Sequence, residues 1–91
     1  MTPEEALAKA ADLLEQDGWC QGVLIDHYGR RCLLGAIEAA RLEDTSDALF
    51  SPICNAIQAE LGGANPISWN DTPGRTQEEV VTLLRNAKRW L

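Results

Sequence analysis

Whether this chain is wholly helical or mixed turns on Gly18-Trp19-Cys20-Gln21-Gly22-Val23-Leu24-Ile25-Asp26-His27-Tyr28-Gly29-Arg30-Arg31-Cys32-Leu33-Leu34-Gly35-Ala36-Ile37. Trp19 to Ile25 is rich in β-type residues and too short for a stable helix. Asp26 to Arg30 carries turn chemistry, with Gly29 free to take positive φ. Arg31-Cys32-Leu33 then offers a returning extended segment. The stretch predicts a small β-hairpin or an extended pair between two helices. From Leu33 the period changes. Leu33, Ala36, Ile37 and Ala40 share a helical face, so a helix is expected over 33–42. Gly35 inside it costs about 1 kcal/mol relative to alanine. Such a glycine points to a backbone or large ring pressed against it, with Trp19 or Trp69 the candidate rings.

Upstream, Thr2-Pro3-Glu4-Glu5 reads as a helix start: a capping threonine, proline at the first helical position and a capping-box glutamate. Leu7, Ala10, Ala11 and Leu14 then repeat at helical spacing, and Gly18 ends the run. Downstream, Glu43 to Ser46 is a polar break. A third helix is expected from about Ser46 to Leu61. Pro52 divides it into a short turn at 46–50 and a main helix over 52–61. Phe50, Ile53, Cys54, Ile57 and Leu61 form its apolar stripe, closed by Gly62-Gly63. Ala64 to Arg75 lacks periodicity and holds two prolines and Gly74, so it is expected as a structured loop. Thr76-Gln77-Glu78-Glu79 is a second capping box. The last helix should carry Val80, Leu83, Leu84, Ala87, Trp90 and Leu91 on one face.

The fold class expected is mainly α: one compact domain over 1–91, of about four helices with a short β-hairpin or extended segment between helices 1 and 2. Its core should hold Leu7, Ala10, Leu14, Trp19, Leu33, Ile37, Ile53, Ile57, Trp69, Val80, Leu84 and Ala87. Ninety-one residues allow only a thin core. From the mass of 10.0 kDa, roughly 5,200 Å² of surface should remain exposed after folding. Apolar residues make up 45% and charged residues 24% of the chain, which excludes a disordered polymer. No apolar run reaches the ~18 residues of a membrane span, and no basic-then-apolar leader is present. Together these features predict a soluble cytoplasmic protein.

Fourteen acidic against eight basic residues give a net charge of −6. That balance argues against broad phosphate-backbone binding, and no helix is basic along its exposed face. A nucleic-acid-binding or nucleic-acid-mimicking role is therefore a minor alternative. Three cysteines, Cys20, Cys32 and Cys54, are an odd number and fit free thiols. With His27 they include no paired C-x-x-C or H-x-x-H element, so no metal site and no cofactor is expected. A thiol-dependent alternative remains. Cys32 stands at a helix start, His27 lies across the turn, and Asn70 or Asp71 would orient the imidazole. The plainer reading of the same residues is a buried thiol and a solvated turn histidine. Trp69, Asn70, Asp71, Arg75, Trp90 and Leu91 form the candidate interaction surface. For these, too, a plainer reading exists: loop tryptophans plug the core, Asp71 or Thr72 bonds its own turn, and Arg75 pairs with a carboxylate.

Gly18-Trp19-Cys20-Gln21-Gly22, Gly29-Arg30, Cys32-Leu33-Leu34-Gly35-Ala36-Ile37 with Ala39-Ala40, Trp69-Asn70-Asp71, Arg75-Thr76 and Glu79-Val80 together resemble an uncharacterised family of small domains of unknown function from actinobacteria and their phages. The resemblance spans nearly the whole chain. It implies a compact, mostly helical domain and a phage setting, and carries over no activity, cofactor or catalytic residue. Pro52 and the short 62–66 connection depart from the pattern. The function expected is that of a small accessory protein that binds another macromolecule, with a protein partner or a homodimer in view and no membrane.

Overall fold

The computed structural model describes residues 1–41 and 50–91. Among them run five helices, α1 (Pro3–Asp17), α2 (Leu33–Ala40), α3 (Phe50–Glu60), α4 (Pro66–Asn70) and α5 (Gln77–Ala87), and a closing 3-10 turn at Lys88–Trp90. The polar break at 43–46, residues 46–49 of the turn expected at 46–50, and Leu42, the expected end of the second helix, lie outside the described residues.

Both long terminal helices start as their sequences dictate. Thr2 Oγ1 accepts from Glu5 N while Glu5 reaches back to Thr2 N, and Thr76 and Glu79 repeat the arrangement on α5. Each box satisfies donors that the first helical turn leaves without partners. Pro52 falls in the first turn of α3, where a missing N–H costs nothing, so the helix runs through it from Phe50. Gly62 and Gly63 then take φ of 66° and 90° and end the run.

The apolar stripes meet in one core. α1 packs against α2 and α5, α3 lies against α5 and the 3-10 turn, and α2 meets α4. Leu7, Leu14, Leu33, Ile53, Ile57, Val80 and Leu84 are fully enclosed there. Trp19 and Trp69 pack against this core only half-buried. The Cα envelope is 17 Å across its shortest axis, which is two helix layers. Exposed surface is 5091 Å², close to that expected from the mass.

Three expectations are corrected. The hairpin is absent: the described residues contain no strand, only single bridges, Trp19 to Arg31 in parallel and Ile25 to Arg31 antiparallel. Arg31 is thus the middle of three extended chains, each one residue long at the bridge. The ladder cannot grow, because the chain bends through 21–24 and α2 starts at Leu33. The expected loop over 64–75 contains α4. Asn65 caps it by accepting from Ile67 N and Ser68 N, and Pro66 occupies its first position. Five residues are too few to show a period. The final face also stops short. Val80, Leu83, Leu84 and Ala87 are buried, but the backbone tightens after Ala87 and leaves Trp90 and Leu91 exposed.

Candidate functional site

The strap from Gly18 to Cys32 is tied to α4 by polar bonds that centre on one side chain. Asn70, at the end of α4, is 2% exposed. Its Oδ1 accepts from Trp19 Nε1 at 2.7 Å and from Leu33 N at 3.0 Å. Its Nδ2 donates to Cys20 O at 3.3 Å and to Asp71 Oδ1 at 2.9 Å. Gln21 Nε2 adds bonds to Asn70 O and Thr72 O, and Gly22 N donates to Asp71 Oδ1 at 3.0 Å. An amide suits this position because it accepts twice and donates twice, and every one of those bonds is made. No buried side-chain nitrogen or oxygen among the described residues lacks a partner.

The strap crosses α2 at Gly35. A Cβ built on Gly35 would collide with the carbonyl oxygen of Leu24, which also accepts from Cys32 N at 3.2 Å. The neighbour expected against this glycine is therefore backbone, and not an indole ring. Gly22 takes φ of 83°, which lets the chain turn back over the helix.

Anchoring the strap this way turns its apolar residues outward. Val23, Leu24 and Ile25 are 52%, 53% and 52% exposed, and Ile67 on α4 is 54% exposed. Gly22, Val23, Leu24, Cys32, Leu34, Ile67, Asn70 and Asp71 line a groove of about 220 Å³. On the far side of Leu24, a second shallow depression runs over Ile25, Arg31, Gly35, Glu38 and Ala39. Three consecutive exposed apolar residues are uncommon on a small monomer. The sequence does contain this signal, as Val23-Leu24-Ile25, but the same residue types also suit a strand.

Two of the six residues expected at an interaction surface, Asn70 and Asp71, border this groove, with Asn70 buried as its support. Trp69 and Arg75 do not. The Arg75 guanidinium lies 3.9 Å from the Trp69 ring centre, donates to Trp69 O and pairs with Glu79. Trp69 lines a wider, open depression with Glu60, Glu78 and Asn86. Trp90 and Leu91 are exposed at the chain's other end, where Trp90 Nε1 and Arg89 both donate to Glu60.

The thiol set is dispersed. Cys32 caps α2, its Sγ accepting from Gly35 N at 3.3 Å, and it is buried. His27 is exposed at the turn that Asp26 closes, and no hydrogen bond joins it to Cys32 or Asp71 among the described residues. Asp71 is occupied by Gly22 and Asn70. Those bonds, Asn70's first, hold its carboxyl below the usual carboxylate range. Burial pushes the Cys20 and Cys54 thiols up. Among the described residues no three His, Cys, Asp or Glu side chains gather as metal ligands. No helix among them is long and apolar enough to cross a membrane.

No curated protein and no solved structure matched the chain. A family model, described as a family of unknown function (DUF6197), matches residues 1–89. The match takes in the strap, the Asn70 anchor and the five helices of the described residues, and the chain belongs to the DUF6197 family.

Proposed function

We propose that this protein works by binding another protein, through the outward face of the strap and the groove beside it. One observation carries the reading: Val23, Leu24 and Ile67 are each about half exposed around a single apolar groove, with Ile25 equally exposed beside it, and the bonds of Asn70 hold the strap in that position. Leaving such side chains in water forfeits about 25 cal/mol per Å² of apolar surface, so a partner that covers them gains that energy. The groove's 220 Å³ falls below the ~300–1,000 Å³ of small-molecule sites. It suits inserted side chains of a macromolecule better than a free metabolite. The acidic surplus supports a soluble cytoplasmic accessory role, and the motif resemblance supports an actinobacterial or phage setting.

Capture from host lysate separates this surface from the terminal one. The wild-type chain is compared with Leu24→Asp, Ile67→Asp and the double variant Trp90→Ala/Leu91→Ala, each checked for unchanged helicity. Loss of a defined partner with the first two variants and its retention with the third supports the reading. Retention of the same partner by Leu24→Asp and Ile67→Asp, or no defined partner on wild type, overturns it.

A second reading rests on Cys32, which borders the same groove at the start of α2. A thiol-dependent site there requires rapid alkylation of Cys32 at pH 6 in the folded protein. Labelling seen only after unfolding removes it.

A further inference from the structure

The groove has one charged wall, and its charge lacks a counterpart. Both hydrogen bonds to the Asp71 carboxylate fall on Oδ1, and no cation pairs with Asp71 among the described residues. The arginines of the strap and of the turn after α4 are committed elsewhere: Arg30 to Asp26, Arg31 to Asp17 and Arg75 to Glu79. The remaining walls are the apolar side chains of Val23, Leu24, Leu34 and Ile67, the Cys32 thiol, Gly22 and the satisfied amide of Asn70. An apolar trough edged by one uncompensated carboxylate is complementary to a definite chemistry. The net charge of −6 draws the same chemistry in from a distance.

We propose that the groove between the strap and α4 receives a protein segment that places an aliphatic or aromatic side chain between Val23, Leu34 and Ile67 and a lysine or arginine against Asp71. This rests on the binding reading above and adds the partner's chemistry to it. The apolar insertion supplies most of the affinity, because it removes surface from water. The cation sets orientation and selects against acidic segments, as charges at an interface edge do. A segment of this type carries a positive charge within one or two residues of its apolar anchor. The chain's own Lys88, Arg89, Trp90 and Leu91 have the same character, which makes a second copy a competing occupant.

Random-peptide display on the immobilised 91-residue chain tests this. Counter-selection uses Leu24→Asp, whose altered side chain is exposed and whose backbone bonds are kept. Retained peptides should pair an apolar residue with a nearby Lys or Arg. Replacing that cation by Glu in a selected peptide should weaken binding by at least about two- to fivefold, the worth of an exposed ion pair. Asp71→Asn, which keeps the Oδ1 acceptor for Gly22 and Asn70, should weaken it by a similar factor. The difference should vanish at ~1 M salt, where the Debye length is ~3 Å. Selected peptides without a cation, or affinities indifferent to both changes, overturn the inference and leave the groove as a binding surface. Peptides held equally by Leu24→Asp, or none retained, overturn the binding reading itself. Native mass spectrometry gives the last arm: a dimer abolished by Trp90→Ala/Leu91→Ala and by Leu24→Asp would assign the groove to a second copy and overturn the proposal.

Discussion

At Gly35 a hydrogen atom separates the strap from α2, and a single methyl tests that contact. By helix propensity alone, Gly35→Ala should stabilise α2 by about 1 kcal/mol. The added Cβ instead meets the Leu24 carbonyl oxygen, whose place is fixed by the bond from Cys32 N. The strap must shift, at a typical overpacking cost of about 1–3 kcal/mol. Gly35→Ala should therefore lower Tm, and a Tm equal to or above that of wild type would show that the strap is free to move. The sequence shows that Gly35 is unusual in its helix. It does not show what presses on it, because Leu24 is 11 residues away through a turn whose shape no local pattern specifies. The same limit hid the role of Asn70, whose bonds reach 37 to 51 positions along the chain.

The helices were legible where their own ends announce them. Thr2-Pro3-Glu4-Glu5 and Thr76-Gln77-Glu78-Glu79 mark α1 and α5, and both capping boxes form. Asn65-Pro66 carries the same kind of signal for α4, a cap followed by proline at the first position, but no repeating stripe follows it. The strap misled for the opposite reason. Val23-Leu24-Ile25 has strand composition, yet its side chains lie in the open and its backbone makes single bridges only. The start of α5 also fixes an acid response. Hydrogen bonds from Arg75 first, and then from Thr76, hold the Glu79 carboxyl below its ordinary value of 4.5, and Asp71 is held below 3.8. A carboxyl with a depressed folded value binds its proton more weakly when folded than when unfolded. Its stabilisation is present above the ordinary value and lost as pH falls through the folded one. Tm should hold from pH 7 to about 5 and fall below about 4. Glu79→Gln should reduce that acid-dependent fall, and an unchanged pH profile in this variant would remove Glu79 from the account.

Across the whole molecule two kinds of cohesion coexist. The core of α1, α2, α3 and α5 is ordinary apolar packing, and its stripes were readable from spacing at Leu7, Leu14, Ile37, Ile57 and Leu84. Ion pairs such as Arg85 with Asp12 and Glu15 decorate it at exposed positions and add little. The strap and α4 are joined instead by polar bonds that converge on one amide. Asn70→Ala would leave Trp19 Nε1 and the Leu33 N–H without acceptors, at about 1–3 kcal/mol each. Tm should drop by more than about 10 °C, with helical circular dichroism at low temperature largely kept. A melt like that of wild type would mean that water replaces the amide at no cost.

Asn70 closes contacts between distant parts of the chain, and they rest on a few polar bonds where the helices rest on apolar packing. Bringing residues ~50 positions apart together is an entropic expense that short helices do not carry. The helices can assemble before the strap is clamped, and the clamp can release without dissolving them. In amide hydrogen exchange, the Gly22 and Cys32 N–H groups should open in step with each other, at a lower free energy than Leu84 or Ile57 in the packed helices. Shared protection of Gly22 and Cys32 with the global core would instead make the strap part of a single cooperative unit. In the first case the molecule has a state, short of unfolding, in which its recognition surface is dismantled while its body stands. A partner that binds the clamped form then stabilises it by mass action, and occupancy itself becomes what keeps the strap in place.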